Sequence, residues 1–175
     1  MLVRMLSYYQ VMPGYIDFLQ LDPPKFALED LHGNFKMQNQ LKYTPSLAVD
    51  CLGRSGHQFQ LCYNLRSVGR TDSSHLAPSH ALWSFRQGAF HHQFDIMNGT
   101  ALWMITRADR DLRKRIQETT DMADMGEDRQ FETPEQCLRS SLAIHLLLCQ
   151  WASENWRAYF LWLEGTVEDE VSKIS

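Results

Sequence analysis

The stretch Phe90–Thr106, FHHQFDIMNGTALWMIT, decides the fold because it contains two strands and the turn between them. From Phe90 to Ile96 the side chains alternate between two faces, as they do in a strand. Asn98-Gly99 then separates this run from the second one, Ala101–Thr106. Asn and Gly both tolerate positive φ, so the pair is a strong hairpin signal. The sequence therefore predicts an antiparallel hairpin over about residues 89–106.

A second hairpin is predicted on the N-terminal side of this stretch. Gln58–Leu65 alternates apolar and polar residues, which is typical of a half-buried strand. Leu47–Leu52 predicts a strand before it, and the segment Gly53–Gly56 supplies two glycines for the connecting loop. Together these segments predict a hairpin over about residues 47–65.

The C-terminal part of the chain changes to a helical period. Asp109 is a plausible N-cap for one helix, and Thr133-Pro134-Glu135-Gln136 combines a capping box with Pro at the first helical position. The second helix is predicted to run over about residues 134–164 and to end at Gly165. Its apolar residues cover more of the helix than one core-facing stripe requires, which predicts extensive packing or a partner.

These elements predict the α+β class: a small, mostly antiparallel sheet packed with helices and followed by one long C-terminal helix. We expect residues 1–130 to form a soluble α+β domain and residues 131–165 to form a long, stalk-like helix of the same domain. An acidic tail follows over residues 166–175. A chain of 175 residues is long enough to bury a substantial core.

Composition excludes several classes of partner. The net charge of −4 disfavours nucleic acid and leaves no basic patch for anionic lipid. The most apolar run, Leu142–Trp151, is far shorter than the roughly 20 residues of a spanning helix, so direct membrane insertion is not expected. Four cysteines without CxxC spacing predict reduced thiols and a cytoplasmic setting.

No pattern of catalytic residues is present, and the protein is not expected to be an enzyme. The chain lacks a G-x-S-x-G elbow, phosphate-binding glycine loops and an HExxH motif. Cys149 and His145 are one helical turn apart and could touch, but an apolar stripe is a poor environment for a thiolate. An enzyme is kept only as a minor third hypothesis.

Three polar groups are candidate sites. His91 and Asp95 share a strand face but lie about 13 Å apart, too far for one metal ion, while His92 faces inward and is predicted to be a hydrogen-bonded structural histidine. Arg86-Gln87 could pair with a carboxylate, stack on an aromatic ring or bind an anionic ligand. Glu154 could pair with Arg157, either as a solvated patch or as a signature that fixes this helix to the sheet.

Five segments in order resemble one family: Met5–Pro13 (MLSYYQVMP), Leu61–Val68 (LCYNLRSV), Trp83–Asp95 (WSFRQGAFHHQFD), Thr100–Ile105 (TALWMI) and Cys149–Glu164 (CQWASENWRAYFLWLE). The chain is similar to the soluble domain that fungal CorA-like transporter-domain proteins carry ahead of their membrane helices. The residues assigned to its structural signature are Arg86, Gln87, His92, Phe94, Asp95, Trp103, Trp151, Glu154, Asn155, Trp156 and Arg157.

The resemblance implies a soluble α/β domain, a stalk-like helix and two membrane helices, with Mg²⁺ as a possible regulatory ion. The residues assigned to that ion, from charge alone, are Asp121, Asp124, Glu127 and Asp128. Both membrane helices and the Gly-Met-Asn pore motif are lacking in this sequence, so transport by this chain alone is not expected. The chain could be a fragment, a truncated product or a stand-alone paralogue.

Two functions follow from these observations. The first is the cytosolic domain of a CorA-like membrane protein, with a regulatory or assembly role at the cytosolic face of a membrane. Its expected partners are further copies of itself or its own membrane helices. The alternative is a stand-alone oligomerisation or protein-interaction module that uses no ion chemistry.

Overall fold

The computed structural model describes residues 2–20, 35–71, 83–120 and 132–174. Within these ranges the helices are α1 (Leu2–Tyr8), α2 (Gly14–Gln20), α3 (Arg110–Thr120), α4 (Pro134–Ser153) and α5 (Trp156–Ile174). The strands are β1 (Phe35–Gln40), β2 (Ala48–Val49), β3 (Arg54–Ser55), β4 (Gln58–Arg70), β5 (Trp83–Asp95) and β6 (Ala101–Thr106). The predicted α+β class is therefore confirmed.

The main sheet is antiparallel and has the strand order β1-β4-β5-β6. β4 and β5 pair along their full length, from Gln58 opposite Asp95 to Arg70 opposite Trp83. β1 and β6 flank only one half of this pair. The other half, residues 64–70 and 83–88, extends beyond them as a two-stranded ribbon.

Helices cover both faces of the sheet. On one face α1 and α2 pack Leu6, Tyr15 and Phe18 against Cys62 and Ala89. The other face has its own core, in which α3 and α4 meet the strands; its buried members are Tyr63, Phe90, Leu112, Ile144, Leu148 and Trp151. Since β5 lies in the interior of a sheet covered on both faces, residues 87–95 are all buried.

The predicted hairpin over 89–106 is confirmed, but its turn is longer than a two-residue Asn-Gly turn. Asp95 closes the loop by accepting hydrogen bonds from the backbone N–H groups of Met97 and Asn98 at 3.1 and 2.9 Å. Only Gly99 of the Asn-Gly pair has a positive φ, of 65°. A Cβ at Gly99 would meet Cα of Pro134 at 2.8 Å, so this glycine also permits close packing of α4.

The predicted hairpin over 47–65 is only partly confirmed. Pro45–Leu47 and Asp50–Leu52 form single 3-10 turns, which leaves Ala48–Val49 as a two-residue strand paired with β3. β4 pairs instead with β5 and with β1, a segment for which no strand was predicted. Gly53, with φ of 62°, turns the chain between the two short strands.

The helix starts follow the predicted caps, whereas the end of the C-terminal helix does not follow the prediction. Thr133 and Gln136 form the reciprocal capping box of α4. The predicted helix of residues 134–164 is interrupted after Ser153, resumes at Trp156 and continues through Gly165 to Ile174. Gly165 does not end it because a glycine ends a helix only when it enters the left-handed region, and here the chain stays helical.

Candidate functional site

A polar joint centred on Asp109 connects the sheet to the helices on one face. Its carboxylate accepts a hydrogen bond from the backbone N–H of Leu112 at 2.7 Å and so caps α3. The same carboxylate accepts from Arg86 Nη1 of β5 at 2.6 Å and from Trp151 Nε1 of α4 at 3.4 Å. β5, α3 and α4 therefore meet at the Asp109 side chain. Arg86 pairs with this carboxylate of the protein itself.

The charge of Asp109 is stabilised by these donors. Burial acts to raise the pKa of this carboxyl, but the hydrogen bonds from Leu112, Arg86 and Trp151 outweigh it and hold the pKa below its usual value. The Asp109 carboxylate is consequently charged at neutral pH. Arg86 and Asp109 retain 33% and 16% side-chain exposure, so solvent screens the ion pair only in part.

The two-residue break between α4 and α5 is held by a second ion pair. Arg115 of α3 donates from Nη1 and Nη2 to the two carboxylate oxygens of Glu154, at 2.6 and 2.9 Å. The hydrogen bonds with Glu154 raise the pKa of the Arg115 guanidinium. The partner predicted for Glu154 was Arg157, which instead lies exposed on α5. Asn155 completes the break with φ of 65°.

A hydrogen-bonded chain of aromatic side chains connects α4 to the middle of the sheet. His145 of α4 lies 2.9 Å (Nε2) from His92 Nδ1 and 2.6 Å (Nδ1) from the Tyr63 hydroxyl. The His92 ring also stacks on Trp103, with centroids 4.2 Å apart and planes 11° from parallel. These side-chain contacts thus connect one turn of α4 to β4, β5 and β6.

Burial keeps the two histidines of this chain neutral. Desolvation lowers the pKa of His92 to about 3, with contributions from His145 and His91, and it lowers the pKa of His145 to about 4. Burial also raises the pKa of the Tyr63 hydroxyl. At physiological pH these three side chains are therefore uncharged, and their hydrogen bonds hold α4 in place on the sheet. His92 Nε2 is buried and has no hydrogen-bond partner in the described residues.

The face under α1 and α2 carries a separate buried polar layer. Gln60 Oε1 accepts from the backbone N–H of Met12 at 2.8 Å and lies 3.0 Å from His91 Nε2. Arg54 donates to Gln10 Oε1 at 3.0 Å and to Gln93 Oε1 at 3.3 Å. Burial lowers the pKa of His91 to about 4, assisted by the charge of Arg54. Polar strand residues on this face therefore position the loop between α1 and α2.

Two further members of the predicted signature lie on β5: Asp95 is its last residue, and Gln87 lies near its middle. The Asp95 carboxylate accepts from the backbone N–H of Ser55 at 2.6 Å and from its hydroxyl at 2.9 Å, besides closing the hairpin loop. Gln87 is 8% exposed, and neither atom of its amide has a partner among the described residues. Phe94 stacks on Phe59 with centroids 5.7 Å apart.

A cavity of about 470 Å³ opens between β6, the end of α3 and the start of α4. Its described lining includes Trp103, Thr100, Thr120, Cys137 and Ile144. Its volume is in the range of small-molecule pockets. The described lining holds no ionisable pair for acid–base chemistry, so the cavity provides shape and weak polar contacts.

The acidic residues assigned to a regulatory ion, Asp121, Asp124, Glu127 and Asp128, lie outside the described residues. Within the described ranges, no group of three or more His, Cys, Asp or Glu side chains is arranged to hold a metal ion. In those same ranges, no helix combines the length and the apolar character needed to cross a membrane. The proposed ion site therefore stays a prediction.

The surface of α5 differs from every other long element. None of its 19 residues is buried. Its first turn packs on the ribbon, where the Phe85 ring lies 6.0 Å from Trp156 and 5.4 Å from Tyr159. Beyond that contact it exposes apolar side chains to its end: Phe160 at 56%, Leu161 at 60%, Leu163 at 39%, Val167 at 54%, Val171 at 59% and Ile174 at 87%.

The structure brings the predicted signature together only in part. Arg86 and Trp151 meet at Asp109, and His92 meets Trp103, while Glu154, Asn155 and Trp156 lie at the helix break. Sequence reasoning missed the roles of Tyr63, Arg115 and His145. His145 was detectable as a polar residue within the apolar stripe of α4. Arg115 carried no such signal, since it is one of several basic residues along α3.

Comparison with known proteins gives a match to a protein family. A family model described as CorA-like transporters matches residues 1–175, and that description is of transporters and not of enzymes. No curated protein and no solved structure matches the chain. The match covers the whole chain, so it includes the sheet, the polar joint and both C-terminal helices.

Proposed function

This chain belongs to the CorA-like transporter family, and we propose that it acts as the cytoplasmic assembly domain of a protein of that family. The observation that carries the proposal is α5, a helix of 19 residues that buries no side chain and exposes an apolar surface. In proteins most of the stability of a helix comes from packing of its apolar face, so a folded α5 needs a surface to cover it.

Five exposed apolar residues of α5 form one continuous stripe. Phe160, Leu163, Val167, Val171 and Ile174 follow each other at spacings of three or four residues. At 3.6 residues per turn these positions lie within about 80° of one another around the helix axis. Such a narrow seam is typical of a helix that pairs with other helices. We call these five residues the α5 stripe.

The charges that flank the stripe suggest how an ion could act. Glu164, Glu168 and Glu170 lie along α5 beside the stripe, so helices of neighbouring copies would bring like charges together. A divalent cation would reduce that repulsion. The residues assigned to that ion from charge alone remain Asp121, Asp124, Glu127 and Asp128. The proposal therefore includes Mg²⁺ as a regulatory ion that favours assembly.

The alternative function is an interaction module without ion chemistry. The α5 stripe itself supports it, since its members are apolar and offer no ligand to a metal ion. The two functions differ in one measurable respect. A regulatory domain should assemble more strongly in Mg²⁺ than in EDTA, and a simple interaction module should assemble equally in both.

The test measures the mass of the full chain by size-exclusion chromatography with light scattering over a range of concentrations. Val167→Glu places a charge in the stripe and should abolish self-association because the charge would be buried on assembly. Leu161→Glu is the matched control: Leu161 is 60% exposed on the same helix but lies about 100° from Phe160. Circular dichroism verifies that both variants fold.

The outcomes separate the functions. Assembly that Val167→Glu removes and Leu161→Glu retains supports the stripe as the interface. A wild-type chain that stays monomeric at all concentrations, or equal effects of the two variants, rejects self-assembly through α5. If assembly needs Mg²⁺, the reversal Asp124→Lys with Asp128→Lys should abolish that dependence. Trp151 is unsuitable for this test because it is 3% exposed and belongs to the core.

A further inference from the structure

The break between α4 and α5 is not explained by the local sequence. It contains neither glycine nor proline, and residues 152–157 read Ala-Ser-Glu-Asn-Trp-Arg. The apolar period continues from one helix to the next, which predicts one uninterrupted helix. Nevertheless Glu154 is extended, with φ of −68° and ψ of 149°, and Asn155 is left-handed. Disagreement between local preference and tertiary structure is expected at functional positions.

Asn155 makes both conformations accessible. Asn enters the left-handed region more readily than other residues with a Cβ, and it is also tolerated inside helices. The backbone at this position therefore has two allowed states: left-handed, which separates α4 from α5, and right-handed, which would join them. Contacts from elsewhere in the molecule must select between the two.

The contacts that favour the broken state come from α3 and the ribbon. Arg115 holds Glu154 through two hydrogen bonds, at 2.6 and 2.9 Å. Two-bond geometry of this kind is the strong and directional form of an Arg–carboxylate pair. Trp156 donates across the break from Nε1 to the carbonyl of Ala152 at 2.7 Å and lies against Phe85. In a continuous helix Glu154 would leave the position that Arg115 reaches.

The Arg115–Glu154 salt bridge is accessible to solvent. The side chains of Arg115 and Glu154 are 40% and 30% exposed, so salt can screen them. The aromatic contacts at Trp156 involve partly exposed rings at the end of the ribbon and not the closed core. Tyr159 adds ring contacts with Phe85 and with the buried Trp83. The salt bridge is thus the solvent-accessible part of the contacts that keep the helix broken.

We propose that the Arg115–Glu154 salt bridge holds a hinge at Asn155, and that its release lets α4 and α5 join into one continuous helix. Straightening redirects α5 and the stripe that it carries relative to the sheet. The hinge does not depend on the stripe being an interface, because it concerns the angle between two helices of one chain.

Distances between two spin labels measure the hinge directly in the full chain. Cys149 on α4 is exposed, and Glu168→Cys places a second exposed thiol on α5. Cys51→Ser and Cys137→Ser remove other labelling sites, and Cys62 is fully buried and can remain. A continuous helix would separate positions 149 and 168 by about 28 Å along its axis, and we expect a shorter distance in the broken helix because α5 then leaves the axis of α4. Dilution with unlabelled chain removes intermolecular distances.

The variants change the salt bridge and the backbone separately. Arg115→Gln and Glu154→Gln should each raise the ratio of long to short distances by about two- to fivefold. The exchange Arg115→Glu with Glu154→Arg should restore the short distance. Asn155→Gly should favour the short distance, because glycine enters the left-handed region without strain, and Asn155→Ala should favour the long one. Lys114→Gln, which removes only the exposed pair with Glu118 on α3, is the matched control and should change nothing.

A salt titration of the labelled chain without any change at the hinge provides a second test. Raising NaCl to about 1 M shortens the screening length to about 3 Å. It should therefore increase the fraction of molecules that show the long distance. The proposal is overturned if the folded Arg115→Gln and Asn155→Ala variants both keep the short distance at low and high salt. It is also overturned if the wild type shows the long distance and no variant alters it.

Discussion

α4 and α5 are consecutive helices of 20 and 19 residues that are attached to the molecule in different ways. α4 buries Ser141, Ile144, Leu148 and Trp151, whereas α5 buries nothing. Both helices are rich in apolar residues, so apolar content did not decide which of them became part of the core. The decisive factor is position, because α4 lies on the sheet and α5 begins over the exposed end of the ribbon.

The two helices also differ in their polar contacts. His145 in the middle of α4 is bonded to Tyr63 and His92 within the fold. α5 is connected mainly at its start, through the aromatic contacts of Trp156 and Tyr159. Changes on α4 should therefore affect global stability, and changes on α5 should affect local order and assembly.

The largest expected effect is acid destabilisation of the α4 side and the sheet. The folded-state pKa values of His91 and His92 are about 4 and about 3, below the ordinary value near 6.5. Below about pH 6.5 the unfolded chain therefore binds more protons than the folded protein does. The free energy of unfolding consequently decreases as the pH falls. Two histidines give a slope of about 3 kcal/mol per pH unit near pH 5, and His145 acts in the same direction.

Urea denaturation at about pH 7, 6 and 5 measures this slope. His92→Asn should reduce it by the equivalent of about one proton, or 1.4 kcal/mol per pH unit, whatever its effect on stability at neutral pH. A free energy of unfolding that is constant between pH 7 and pH 5 would contradict the assignment of neutral buried histidines. The order of α5 should not change over this range until the domain unfolds.

The next largest effect is expected from matched leucine substitutions on the two helices. Leu148→Ala removes a fully buried side chain from the α4 core and should lower the free energy of unfolding by about 2–5 kcal/mol. Leu161→Ala on α5 should change it by less than about 0.5 kcal/mol, because Leu161 is 60% exposed. Equal losses in thermal or urea denaturation would show that α5 is part of the cooperative core.

Substitution of Asp109 divides the polar joint into two contributions. Asp109→Asn keeps a good N-cap but loses the charge that Arg86 pairs with, and should cost about 1–2 kcal/mol. Asp109→Ala loses the cap as well and should cost about 1 kcal/mol more. Denaturation curves of the two variants measure the difference. Identical curves would mean that the cap contributes nothing in this context.

The smallest effect is expected from Gly165→Ala in α5. A Cβ at this helical position would meet no atom within 4 Å, so alanine should stabilise the helix locally by about 0.5–1 kcal/mol. Because α5 is not packed in the core, the global denaturation midpoint should stay nearly constant. Hydrogen exchange should slow for the amides around residue 165 only. A clear rise in the global midpoint would show that the two helices unfold as one unit.

Features that depend on neighbouring residues were predicted correctly from the sequence, whereas a contact between distant residues was not. The capping box at Thr133 and the N-cap at Asp109 depend on neighbouring residues, and both were predicted and observed. The hairpin around Asn98-Gly99 was also predicted, although Asp95 lengthened its turn. The partner of Glu154 was predicted wrongly because Arg115 is 39 residues away and nothing in the local pattern indicates it.

The sequence by itself determined the fold class, the starts of α3 and α4 and the family, because short-range caps, periodicity and ordered motifs carry that information. Only the tertiary structure decided three features: the pairing of β1 with β4, the burial of polar residues on both faces of β5, and the break at Asn155. Each of these depends on contacts between segments distant in sequence. Such contacts can override local preference when the preference is weak, as it is for Asn155 between two helical segments.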